Sequence, residues 1–326
     1  MTQQTFDTVL LIALPASGKS EVRKYLEHMP VEKRVADFHM GNTIQFDDFP
    51  YVHLVRCVDE ELIKLNQPKL FYHAPDSTLL HNEDWGTLIE LLNEDYADIV
   101  HRRVINPKSV VEYYFERIDA ASAKVGLPKR LSTLSAEVRN VLKDKLAKEC
   151  GKMFAEKQQL LKIDLNGKTI VIEFSRGGPQ GSSMPLTNSY GYAYSLAQLS
   201  DEILSKSVLL YIWVTPEESR RKNQDRTDPN DPGSILNHGV PISVMLGDYG
   251  CDDIEWLEKH SEKPETITVK AHAKTFHLPI AKFDNRSDKT TFLRGDPQKW
   301  DAKHVDAMHK EIKGALDKLA KMYFGK

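Results

Sequence analysis

Residues 8–20 read Thr-Val-Leu-Leu-Ile-Ala-Leu-Pro-Ala-Ser-Gly-Lys-Ser, and no other stretch limits the fold as tightly. Residues 9–14 are all apolar. A short loop then ends in Gly18-Lys19-Ser20, and Val22, Tyr25, Leu26 and Met29 follow at spacings of three and four. This is strand, loop and helix in the order that phosphate binding needs. Such a loop turns backbone N–H groups toward one point, and the helix N-terminus adds the positive end of its dipole. Pro15, Ala16, Ser17, Gly18, Lys19, Ser20 and Glu21 are therefore the expected nucleotide-binding residues. Lys19 offers a point charge to the β/γ phosphates, and the Ser20 hydroxyl a ligand to Mg²⁺. Ala13 stands where such loops usually begin with Gly.

Four further strands are expected, at 43–46, 169–174, 208–214 and around 278–283. Three of the five are continuous apolar runs, which suit a sheet buried on both faces and hence parallel. Helical patterns lie between them, as crossovers require. The stretch 52–163 is too long for an ordinary crossover and is helical in pattern at 85–99, 110–123 and 135–161. It reads as an inserted helical subdomain, leaving 1–51 and 164–326 as the core. After the fourth strand, Thr215-Pro216-Glu217-Glu218 starts a helix with Pro in its first turn. A turn-rich segment near 226–250 then reads as a lid.

Composition narrows the class. The chain has 326 residues, 40% hydrophobic and 28% charged, with net charge −3, so a globular protein without a basic footprint is expected. No nucleic-acid partner is expected from that balance, and the longest apolar run is far short of a membrane span, so no membrane association is expected. Three scattered cysteines without a C-x-x-C pair suggest neither a disulfide framework nor a zinc site. With a polar opening, Met-Thr-Gln-Gln-Thr-Phe-Asp, they point to the cytoplasm.

Phosphoryl transfer needs phosphates held, charge neutralised and an acceptor oriented. Candidates for each task stand at the ends of the expected strands, where ligands bind in such sheets. Glu173 is placed to hold a Mg²⁺ water near Ser20; the other reading is a strand-end acid paired with a base. Arg176, before Gly177-Gly178, suits an anionic acceptor because its fork binds bidentately. Asp47 and Asp48 follow the second strand, where a carboxylate can take a proton from an acceptor hydroxyl. Arg221 and Arg226 follow the fourth strand and can close over a transferring phosphate, although Arg221 and Asp225 also have the spacing of a helical ion pair. Asp284-Asn285-Arg286 is either a turn or a loop touching the base or sugar of a nucleotide.

Together, the loop Leu-Pro-Ala-Ser-Gly-Lys-Ser, the acid pair in Asp-Asp-Phe, the segment Glu-Phe-Ser-Arg-Gly-Gly and the arginines after the fourth strand resemble the P-loop kinases of nucleosides, nucleotides and related small molecules. The resemblance covers about half of the chain, and only the loop is specific. It implies that Glu173 stands for the third-strand acid, Arg176 for the acceptor-binding Arg, and Asp47 or Asp48 for the base. The expected fold is an α/β three-layer sandwich with a five-stranded parallel sheet in the order 2-3-1-4-5. The expected activity is Mg²⁺-dependent phosphoryl transfer from ATP to a small-molecule acceptor. Two alternatives are a P-loop NTPase or switch that hydrolyses ATP or GTP and acts through a protein partner, and a binding module that has lost turnover.

Overall fold

The computed structural model describes residues 4–225 and 239–325. In chain order the first elements are β1 (Thr8–Ile12), α1 (Lys19–His28), α2 (Val31–Phe38), β2 (Asn42–Asp47), α3 (Phe49–Lys64), α4 (Asp84–Val100), α5 (Val110–Lys124) and α6 (Ala136–Leu160). They continue as β3 (Lys168–Phe174), α7 (Gly191–Ala197), α8 (Asp201–Lys206), β4 (Ser207–Trp213), α9 (Pro216–Asp225), α10 (Ile242–Gly247), α11 (Ile254–Lys259), β5 (Thr266–Ala271), β6 (Lys274–Asp284) and α12 (Ala302–Phe324).

The apolar runs form the centre of one sheet. β1 is buried throughout and lies parallel to both neighbours, with Leu10 opposite Ile172 of β3 and Leu209 of β4. β4 pairs parallel with β6, Leu210 opposite Ala281. Burial on both faces explains why these strands carry no polar alternation. Val9, Leu11, Leu210, Ile212 and Phe283 share a core with Val22 and Leu26 of α1 and with Ile312, Leu316 and Leu319 of α12. Asp301 starts α12 by accepting a hydrogen bond from the His304 N–H at 3.0 Å.

The expected five-stranded parallel sheet is corrected by the structure. Six strands run in the order β2-β3-β1-β4-β6-β5, and β5 is antiparallel to β6, with Ile267 opposite Leu278. The fold is thus α/β, with a mostly parallel sheet flanked by helices. The turn between β5 and β6 is His272-Ala273, both at positive φ (51° and 58°). That is the twist a two-residue hairpin demands, normally met by Asn-Gly.

The chain packs as two compact units. The first comprises Met1–Gln45, Asn166–Pro185 and Asp201–Lys326; the second comprises Phe46–Leu165 and Leu186–Ser200. In the second, α4 and α5 pack on each other, and α6 packs on α3 and α5. Its interior carries charge. The Arg117 guanidinium meets Glu94 at 2.9 Å and Asp95 at 2.8 Å. The Lys157 ammonium meets Asp95 at 2.7 Å, Asp98 at 2.5 Å and the Tyr113 hydroxyl at 2.9 Å. Tyr51 donates to Asp95 and receives from Arg117. Such a cluster is stable only because each buried charge has an opposite partner. No helix among the described residues is long and apolar enough to cross a membrane.

Candidate functional site

The loop between β1 and α1 is built from unusual backbone. Ala16 and Gly18 both lie in the left-handed region, at φ 55° and 104°. Alternation of this kind turns neighbouring amides into a concavity suited to an anion. Gly18 is required: a Cβ there would stand 2.4 Å from Thr290 Oγ1 and 2.7 Å from Asn285 Nδ2. Gly18 also occupies the N-cap of α1, and no side chain caps that helix end. The Ser17 hydroxyl is buried and makes no hydrogen bond among the described residues, a donor that an anionic oxygen would satisfy. Lys19 is 7% exposed. Its ammonium donates to the Ala13 and Leu14 carbonyls at 3.4 and 3.3 Å and to Ser175 Oγ at 2.7 Å.

Strand β3 brings Glu173 beside this loop, opposite Leu11 of β1. The Glu173 carboxylate is largely buried and pairs with Arg23 of α1 at 3.1 Å. Both readings drawn from the sequence, a strand-end ion pair and a metal-supporting acid, start from this position. Among the described residues no group of three or more His, Cys, Asp or Glu gathers in metal-binding geometry. Mg²⁺ does not need one, since it keeps several waters and uses one or two protein oxygens plus phosphates; a hydroxyl such as that of Ser20 and a carboxylate such as that of Glu173 are donors of that kind. Glu21 is tied to Arg294 at 2.6 Å, so its side chain belongs to a surface ion pair. Arg176 is 1% exposed, donates to the Ser175 carbonyl at 2.6 Å and lies over the Phe174 ring at 5.2 Å. Its guanidinium is closed to solvent in this conformation.

Two elements back the loop. From α9, the buried Ser219 hydroxyl donates to the Pro15 carbonyl at 2.7 Å. From the exit of β6, Asn285 Nδ2 donates to the Ser17 carbonyl at 2.6 Å and to Thr290 Oγ1 at 2.9 Å. Lys222, 1% exposed, reaches Asp288 at 2.7 Å and Thr290 Oγ1 at 3.1 Å. Burial alone would raise the Asp288 pKa, but hydrogen bonds from Lys222 and Thr291 outweigh it and hold the group at about 2. Asn285 is thus wedged against the loop, rather than standing as a free turn residue.

Arg221 is half exposed and held by Glu218 at 2.6 Å, Asp225 at 2.6 Å and Asp288 at 3.3 Å. Here the helical pairing with Asp225 is the arrangement adopted. Arg226 lies outside the described residues, as does the 226–238 part of the expected lid; the remainder of that segment contains α10. Asp47 and Asp48 belong to the second unit. Asp47 ends β2 and accepts the Phe49 N–H at 2.8 Å. Asp48 is 6% exposed and precedes α3. Burial pushes the Cys57 thiol up to about 11 and Cys150 up to about 12, so neither is a thiolate at neutral pH.

The structure therefore gathers Ser17, Gly18, Lys19, Glu173 and Arg176 within the first unit. It adds Arg23, Ser175, Ser219, Lys222, Asn285 and Thr290, which sequence reading did not assign to the loop. Comparison with family models, curated proteins and solved structures finds no significant match to this chain.

Proposed function

We propose that this chain is a Mg²⁺-dependent phosphotransferase that moves the terminal phosphoryl group of ATP to a small-molecule acceptor. One observation carries the reading. On the central parallel strand β1, a loop with left-handed Ala16 and Gly18 leads into an uncapped helix start, with the Lys19 ammonium at its base. Charge, amide donors and a free hydroxyl converge there on the chemistry of a polyphosphate.

In this reading Lys19 exchanges its carbonyl and Ser175 partners for phosphate oxygens, which are stronger acceptors for an ammonium. The amides of the loop and the Ser17 hydroxyl orient the phosphates. Ser20 and Glu173 would hold Mg²⁺, which neutralises charge on the phosphates when bound. Glu173 would then share its carboxylate between Arg23 and the metal's waters. For the acceptor, the reading keeps Arg176, Asp47 and Asp48 on the strength of their sequence positions. Closure of Arg221 over a phosphate requires it to leave Glu218, which it holds through two nitrogens at 2.8 and 2.6 Å, together with Asp225 and Asp288.

Incubation with γ-labelled ATP, Mg²⁺ and a panel of nucleosides, nucleotides, sugars and aminoglycosides tests the proposal. Label moving to one acceptor class supports it and names the substrate. Label released only as free phosphate, and dependent on Lys19, favours the NTPase. No turnover of any kind contradicts both.

A further inference from the structure

We infer that Ser219 and Asn285 are positioning residues that hold the peptide planes of the loop with their amides turned outward. The inference rests on the nucleotide-binding reading above and extends it to residues on two other elements. In a trans peptide the C=O of one residue and the N–H of the next point in opposite directions, and the one cis bond among the described residues is Met184-Pro185. Ser219 Oγ draws the Pro15 carbonyl toward α9 at 2.7 Å. The Ala16 N–H must therefore point away from α9. Asn285 Nδ2 draws the Ser17 carbonyl toward the β6 exit at 2.6 Å, so the Gly18 N–H points away from that side.

Both turned-out amides lack a partner among the described residues, although Ala16 and Gly18 are themselves buried. Buried amides are nearly always satisfied. Two in one four-residue stretch, beside the unbonded Ser17 hydroxyl, mark a site kept ready for an anion. Left to itself, the loop could rotate either peptide plane and turn a carbonyl oxygen toward the phosphates. The two clamps oppose that rotation. Asn285 is fixed in turn: Thr290 accepts from it at 2.9 Å, and its Oδ1 accepts the Lys289 N–H at 2.6 Å. Lys222 braces Thr290 from behind. Gly18 completes the device, because any Cβ there would collide with Thr290 and Asn285.

The test is calorimetric titration of MgATP, well below the melting temperature, into wild type, Lys19→Ala, Ser219→Ala, Ser219→Thr and Asn285→Asp. Asn285→Asp keeps the shape and replaces the donor facing Ser17 with an acceptor. Ser219→Ala is expected to bind about tenfold more weakly, the worth of one hydrogen bond that orients a donor. Ser219→Thr restores the hydroxyl and recovers most of that loss. Asn285→Asp loses at least as much as Ser219→Ala. A merely structural role would lower the melting temperature and leave the affinity of the folded protein alone. If Lys19→Ala loses affinity while Ser219→Ala and Asn285→Asp bind like wild type, the clamp is wrong and the nucleotide reading stands. If wild type binds no MgATP, or Lys19→Ala binds equally well, the reading fails and the clamp with it.

Discussion

Lys19 and Gly18 sit side by side at the start of α1 and should respond to substitution in different ways. Lys19→Ala removes a charge whose partners include two carbonyls and a hydroxyl, and the fold should survive the change. Turnover should fall by about 10²-fold or more, with an unchanged circular-dichroism spectrum as the control. Gly18→Ala is the opposite case. A left-handed φ of 104° and a Cβ at 2.4 Å from Thr290 make it a stability variant as well. We expect a loss of about 1–3 kcal/mol, read by thermal melting. Asp252 gives a pH signature. Burial raises its pKa to about 6, against an ordinary 3.8, while Tyr211 donates to it at 2.7 Å. The unfolded chain thus releases this proton before the folded one does. The stabilising contribution of the protonated group is complete below about pH 4 and is lost as pH rises through about 6. The melting temperature of wild type relative to Asp252→Asn should therefore fall between pH 4 and pH 7.

At the scale of elements, β3 and the helices of the second unit separate function from stability. Glu173→Gln on β3 keeps the shape and removes the charge facing Arg23. We expect the Mg²⁺ concentration for half-maximal rate to rise about tenfold, with little change in melting temperature; the reverse pattern would make Glu173 purely structural. Arg117→Leu on α5 removes one of the two cations on the buried Asp95 and one of the two on Glu94. Stranding a buried carboxylate outright costs about 3–5 kcal/mol; because Asp95 keeps Lys157 and Glu94 keeps Lys124, this variant should lose only part of that and melt measurably earlier. Elements differed in how plainly the sequence announced them. β1, β3 and β4 were legible because unbroken apolar runs have one good home, the centre of a parallel sheet. α4, α5 and α6 were legible from spacing. β5 was not, because its hairpin turn is His272-Ala273, with no Gly, Asn or Asp to mark it. The sheet was accordingly expected with five strands and has six.

At the scale of the whole molecule, the loop could be read from thirteen consecutive residues, while its supports could not. Ser219 and Asn285 lie more than two hundred residues from the carbonyls they hold. No local pattern separates a clamping Asn from a turn Asn. Only the parallel order of β1, β4 and β6 brings the segments following those strands to one place. The charged interior of the second unit was hidden for the same reason, since Arg117 and Lys157 sit among ordinary surface-like charges in the sequence and find Asp95 only through packing. On the proposed reading, the first unit binds a nucleotide through its triphosphate. Equilibrium dialysis of labelled ATP with Mg²⁺ against wild type and Lys19→Ala measures this directly. Wild type should bind saturably, with affinity weakened at least about tenfold in Lys19→Ala and binding competed by unlabelled ATP but not by adenosine at equal concentration. Equal binding by both proteins, or none by wild type, would contradict it.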